Sequence, residues 1–186
     1  MDETMLDIQP TANKPTIIYF IVVILSLLLI STFFMPYMST VGDSREALLD
    51  FGDNEIYDEL NMTSDEFADI SLIEFAKISL SILGDDEEFV TIFTIIIAMV
   101  GGFTLLASLF ALLKKCKASI AFTFLAIGSF TITFGTLLKD AMIDDDMLEK
   151  GIATTAFYLI AVALIVANIV FIIQKKAYKK AISIQN

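Results

Sequence analysis

The sequence predicts an all-α fold: an integral membrane four-helix bundle carrying a small, mainly helical extracytoplasmic insert between its first two spans. Three observations predict it. Hydrophobic residues make up 56% of the 186-residue chain and mean hydropathy is +0.77, where a soluble domain usually holds about 45–50% apolar residues. Four stretches, residues 16–35, 89–113, 118–138 and 151–173, contain no Asp, Glu, Lys or Arg. Each can cross the ~30 Å hydrocarbon layer, which takes about 20 residues at ~1.5 Å apiece. The charges left between these stretches are sorted by sign.

The elements follow in chain order. Residues 1–15 read as a cytoplasmic tail with Asp2, Glu3 and Asp7 against Lys14. That is a poor n-region, and the apolar run behind it exceeds the ~7–15 residues of a signal-peptide core, so the first span reads as an uncleaved signal anchor. Residues 36–88 form the insert, too long for a structureless connection. Within it, Asp43 or Ser44 offers a cap for a helix over residues 45–51 with Gly52 as the stop, and residues 54–60 supply a further turn or two. Thr63-Ser64-Asp65-Glu66 has capping-box spacing. Behind that box Ala68, Leu72, Phe75, Ala76, Ser79, Leu80 and Leu83 fall on one helical stripe. Residues 77–82 also alternate polar and apolar as a strand does, but length and cap favour a helix. The second span (89–113) is followed by a basic turn at 114–117, the third span (118–138), an acidic outer loop at 139–150, the fourth span (151–173) and a basic tail at 174–186.

Lysine placement sets the orientation. Lys114, Lys115 and Lys117 lie in the turn between spans two and three, and Lys175, Lys176, Lys179 and Lys180 follow span four. Two spans separate these segments, so they share a side, and basic residues near helix ends mark the cytoplasmic side. The expectation is a multi-pass plasma-membrane protein with both termini inside. The opposite side carries most of the net charge of −11: the insert holds fifteen acidic residues against Arg45 and Lys77, and the second outer loop holds Asp140, Asp144, Asp145, Asp146 and Glu149 against Lys139 and Lys150. Such a face is either a solvated surface or one that steers cations or a basic partner, the latter weakening with salt.

Within the spans, close packing is expected from small residues: Gly101 and Gly102 in span two, Gly128 and Gly135 in span three, Ala163 and Ala167 in span four. The glycine pair in span two is alternatively a kink or hinge. Asn168 is the one strongly polar side chain well inside a span, and an unpaired amide there is costly. Its expected partner is a hydroxyl of span one: Ser26, Ser31 or Thr32. No ionisable residue lies inside the spans, which speaks against a proton-coupled pump.

The chain holds no histidine and one cysteine, so no disulfide, thiolate metal cluster or His-based catalytic set is available. Metal and cofactors are therefore not expected. The runs Asp85-Asp86-Glu87-Glu88 and Asp144-Asp145-Asp146 lack EF-hand spacing. Paired carboxylates exist outside, yet no nucleophile–base set accompanies them, and the protein does not read as an enzyme. Asn61-Met62-Thr63 matches a glycosylation sequon that has no meaning in a bacterial host. Many Ile, Phe and Lys residues with no Trp suggest an AT-rich bacterial genome. Cys116, between lysines, is either a thiol of lowered pKa, an acylation site or a plain reduced thiol.

The N-in, C-in layout with a large first outer loop resembles claudins and tetraspanins in topology alone. The claudin Trp motif and loop cysteine pair are missing, and tetraspanins carry their large cysteine-rich domain before span four. With Phe34-Met35-Pro36-Tyr37 leaving span one, Ile70-Ser71-Leu72-Ile73-Glu74-Phe75 in the insert and a Lys-rich inner turn, the whole chain is similar to small four-span membrane proteins of low-GC Gram-positive bacteria. The resemblance implies no activity.

The functional expectation is a non-catalytic protein whose partners are the lipid bilayer and another protein at the outer face, as an accessory subunit or an immunity-type protector. No nucleic acid is expected, and a homo-oligomer is compatible with the sequence. The apolar stripe of the insert is expected to pack on the outer ends of the spans or to lie in the interface plane; otherwise it is a docking face, with Leu72, Phe75, Ala76 and Leu80 as its candidates. The alternative is an oligomeric cation channel or small transporter component, lined by Thr91, Thr94, Thr104, Thr123, Thr131 and Thr133.

Overall fold

The computed structural model describes residues 15–50, 62–82, 88–134 and 148–185. Its elements run α1 (Thr16–Ser31), a 3-10 turn (Thr32–Phe34), β1 (Pro36–Thr40), α2 (Gly42–Asp50), α3 (Ser64–Ala68), β2 (Asp69–Ser71), α4 (Leu72–Ile82), α5 (Glu88–Leu112), α6 (Cys116–Ile132), β3 (Leu148–Lys150) and α7 (Ile152–Gln185). The fold is mostly helical. Helix α1 packs on α5 and α7, and α6 also packs on α5 and α7, so the four long helices form a closed ring of neighbours.

Three segments, Thr16–Phe34, Thr94–Leu112 and Ile152–Ser183, are long and apolar enough to cross a membrane; α6, at 17 residues, is a shorter apolar helix. The surface is turned inside out relative to a soluble protein. Phe20, Leu27, Leu159 and Val166 are exposed, while Ser26, Thr104, Ser108, Ser119, Thr123, Thr133 and Asn168 are buried. Only a lipid-like solvent makes that distribution favourable, because an exposed aromatic or leucine costs nothing against acyl chains.

The first span ends for a local reason. Pro36 disfavours the helical region for Met35, which is extended at φ −99°, ψ 150°. The last turn tightens to 3-10 geometry, with Met35 N–H donating to Thr32 C=O at 3.1 Å. The chain then passes directly into β1.

The all-α expectation needs one correction here: three short strands form an antiparallel sheet in the order β2-β1-β3. Met38 faces Ile70 on one side and Lys150 on the other, and Ser39 faces Asp69 and Glu149. The central strand thus belongs to the exit of span one, and its neighbours come from the insert and from the stretch just ahead of α7. Between Pro36 and Met38 the register with β2 shifts, which places Tyr37 at a bulge. Bulges re-aim a side chain, and here Tyr37 and Met38 are both buried.

The insert differs from a single helix through residues 64–83. The capping box at Thr63 and Glu66 is present, with Glu66 N–H donating to Thr63 Oγ1 at 3.3 Å and Thr63 N–H to Glu66 Oε2 at 2.8 Å. Helix α3 nevertheless stops at Ala68, gives three residues to β2 and restarts as α4. A second capping box drives the restart. Ser71 Oγ accepts from Ile73 N–H at 3.1 Å, while Glu74 Oε2 accepts from Ser71 N–H at 3.0 Å and from the Ser71 hydroxyl. Residues 77–82 are helical, not extended. Helix α2 begins at Gly42, ahead of the expected Asp43 or Ser44 cap. Residues 52–60, Leu83 and 139–147 lie outside the described residues.

Candidate functional site

The module built from the sheet, α2, α3 and α4 is fastened to the helix ends by an aromatic cluster. Phe130 of α6 and Phe134, one turn further on, stack at 4.5 Å between centroids. Phe157 of α7 stacks on Phe130 at 4.4 Å, Tyr37 sits 5.2 Å from both Phe130 and Phe134, and Phe75 of α4 meets Phe134 edge-on at 5.7 Å. Offset and edge-to-face contacts at these separations are the favourable aromatic geometries. Tyr37 is fully buried and donates its hydroxyl to Thr32 Oγ1 at 2.9 Å; burial pushes its pKa up to about 12, although the Thr32 bond pulls the other way.

The bulge also turns the Tyr37 carbonyl toward α7. It accepts from Gly151 N–H at 2.9 Å and from the Thr154 hydroxyl at 3.0 Å. A Cβ on Gly151 would overlap the Pro36 carbonyl and lie 2.9 Å from the Tyr37 carbonyl carbon. This is the position where the backbones demand a glycine.

The predicted docking face is largely consumed inside the chain. Leu72 and Phe75 are each 4% exposed and belong to the core, with Ala76 packed against it; nothing is described of the Leu80 side chain. The apolar stripe points at the spans because α4 restarts on β2 and lies across the helix ends. The surface left open is different. Helix α2 has no buried residue, and it exposes Leu49 beside Asp43, Glu46 and Asp50. It is pinned by Arg45, whose guanidinium forms a fork with Asp69: Nη1 to Oδ1 at 3.0 Å and Nη2 to Oδ2 at 2.6 Å. Those bonds hold the Asp69 carboxyl below the ordinary range, and Asp69 in return raises Arg45.

The expected packing glycines behave otherwise than sequence spacing suggests. A Cβ at Gly101, Gly102 or Gly128 meets nothing within 4 Å, so helices of this chain do not approach closely there; Gly135 lies outside the described residues. Alanines fill the close contacts: Ala107, Ala111, Ala126, Ala153 and Ala161 are fully buried, Ala167 nearly so, and Ala163 is half-buried.

Asn168 finds its partner on α6 instead of α1. Its Nδ2 donates to Ser119 Oγ at 3.2 Å and to Leu164 C=O at 3.0 Å, and Oδ1 has no partner among the described residues. The anticipated hydroxyls of α1 turn back on their own helix: Ser26 to Val22 C=O, Ser31 to Leu28 C=O and Thr32 to Leu29 C=O, each at 2.7 Å. Of the hydroxyls suggested for a pore, Thr104, Thr123, Thr131 and Thr133 likewise donate to carbonyls one turn back. Thr104, Thr123 and Thr133 are fully buried within the chain, Thr94 is half-buried and nothing is described of the Thr91 side chain.

At the other end, α5 and α6 join through a tight turn. Lys114 adopts φ 58°, its N–H donating to Ala111 C=O at 3.0 Å while Lys115 N–H reaches Phe110 C=O at 2.8 Å. This is the Schellman pattern, with lysine where glycine is usual. Cys116 follows, 5% exposed. It lies ahead of the apolar run that begins at Ala118, and burial pushes its thiol up, outweighing the pull of Lys175; a lysine-activated thiol is not what this geometry produces.

Known protein families, curated proteins and solved structures offer no match to the chain.

Proposed function

We propose that the chain is a four-span plasma-membrane protein, termini inside, whose acidic outer module binds a protein partner without catalysing a reaction. It serves as an accessory subunit or as a protector against a membrane-active agent. The observation carrying this reading is the contrast within the outer module. Strands from both loops and an aromatic cluster hold it firmly on the helix ends, while α2 presents an acidic surface with Leu49 exposed and no buried residue of its own. A rigid platform with an unburied helix suits recognition, since ordering costs are already met before a partner arrives, and the acidic face adds steering. The fourth span is read from residues 118–138, of which α6 covers the first part.

A photo-crosslinker placed at Glu46 or Leu49 in native membranes is expected to yield one discrete adduct, reduced by salt and by Leu49→Glu. Failure to form any discrete adduct, with an unchanged phenotype for Leu49→Glu, removes the reading. Orientation is checked separately with an impermeant thiol reagent on Cys116→Ser protein carrying a single new cysteine: Ser44→Cys should label in intact cells and Lys115→Cys should not.

A further inference from the structure

We propose that the turn between α5 and α6, together with the lysine-bearing stretch of α7, forms a binding site for the phosphate headgroup of an anionic lipid. A cavity of about 440 Å³ opens there, lined by Lys114, Lys115, Lys117, Lys175, Lys176 and Lys179, with Phe171 and Ile172 among its apolar walls. Among the described residues no acidic side chain lines it. The ion pair among those residues is Arg45–Asp69 on the outer module, so six lysines line one cavity with no described carboxylate paired to any of them.

The backbone adds to the same demand for an anion. Helix α6 starts at Cys116, and its N-cap residue Lys115 supplies no side-chain cap. The first-turn amides of a helix have no intrahelical acceptor, and those of Cys116, Lys117 and Ala118 belong to cavity-lining residues. A helix N-terminus favours negative charge and is disfavoured by cations, yet this one is flanked by Lys115 and Lys117. Helix α7 has a parallel problem. It continues to Gln185, which sets Lys175 above Lys179 and Lys176 above Lys180, like charges four apart that repel one another. A phosphate in the cavity relieves both conflicts.

The apolar walls favour a lipid over a soluble anion. Phe171 is buried and Ile172 half-buried in the last apolar turn of α7, and Ile169 and Ile173 beside them face outward. An acyl chain lying on that surface continues the hydrocarbon contact while its headgroup meets the lysines, the arrangement expected of basic pockets between membrane helices. Lys114 and Lys175 are already oriented by rings, 4.5 Å over Tyr19 and 6.0 Å over Phe171.

The test uses the full-length protein in detergent micelles, with lipid retention read by native mass spectrometry. Phosphatidylglycerol, phosphatidylcholine and inorganic phosphate are offered separately. Phosphatidylglycerol should be retained in preference to phosphatidylcholine, and Lys115→Gln combined with Lys175→Gln should lower its retention about tenfold or more. A control of the same charge change off the cavity, Lys77→Gln with Lys150→Gln, should leave retention within about twofold of the parent. Equal retention of the two lipids, or an equal loss in the control, overturns the proposal. Inorganic phosphate that displaces phosphatidylglycerol at equal concentration shows a soluble-anion site and overturns the lipid assignment.

Discussion

The two ends of the helix bundle solve the same problem by opposite means. At the end that carries the sheet the chain leaves helical geometry, and the backbone groups freed there are taken up by a three-stranded sheet, two capping boxes and the Tyr37 carbonyl. Five aromatic rings then seal the joint between module and spans. At the end where α5 meets α6 the chain turns within three residues, its carbonyls closed by a Schellman pattern, and the hydrogen bonds between helices are isolated ones: Tyr19 hydroxyl to Leu112 C=O at 2.8 Å, Ser108 hydroxyl to Ser26 C=O at 3.2 Å, Asn168 to Ser119. The sheet-bearing end is specified by long-range pairing; the α5–α6 end closes by local geometry and leaves its lysines without described carboxylate partners.

The sharpest way to break the contrast is Gly151→Ala. The added methyl must push β1 from the start of α7, and a loss on the order of 3 kcal/mol or more is expected for a forced backbone clash. Gly101→Ala, where the space is open, should be neutral or slightly stabilising, by up to about 1 kcal/mol. Reversible unfolding in mixed detergent micelles compares them; equal behaviour would show that the β1–α7 crossing is not the constraint.

The inner turn predicts a smaller effect. Lys114→Gly and Lys114→Ala both remove the ammonium group, but only glycine relieves the left-handed backbone, so the glycine variant should be more stable by about 1 kcal/mol. Identical midpoints would deny that the turn is strained.

The smallest effect comes from Arg45–Asp69, each about one-third exposed, where solvent screening leaves little net energy. The sign is fixed nonetheless. The Asp69 carboxyl lies below its unfolded value of about 3.9, so the unfolded chain binds more protons in acid. The contribution is present above that value and disappears as pH falls through the folded one. Hydrogen exchange at residues 69–71 should quicken, relative to intrinsic rates, below about pH 4. Arg45→Gln should abolish that pH dependence; a variant that retains it would assign the effect to another group.

What was legible beforehand follows the same division. The apolar runs announced α1, α5 and α7 because twenty uncharged residues admit few alternatives in a bilayer. Thr63–Glu66 was legible because a capping box is written within four residues. Ser71–Glu74 carries the same signature and was obscured by the apolar stripe from Ala68 to Leu83, which reads as one helix if the break at Asp69 is ignored. That break depends on Arg45, 24 residues away, and on a strand of three residues, too short to show alternation. Met38 pairing with Lys150 is more remote still. The phase of a helix about its axis was equally hidden: spacing alone does not say which neighbour Asn168 faces, and the hydroxyls of α1 are satisfied by their own turns.

The sheet order has a consequence for how the protein is made. The middle strand is synthesised first, at the exit of the first span, while one flanking strand is synthesised immediately before the last. Until the ribosome has made Leu148–Lys150, one edge of Pro36–Thr40 stays open. Completion of the sheet thereby waits on nearly all of the chain that precedes α7, and a protease that cuts exposed strands would remove chains that stall before that point.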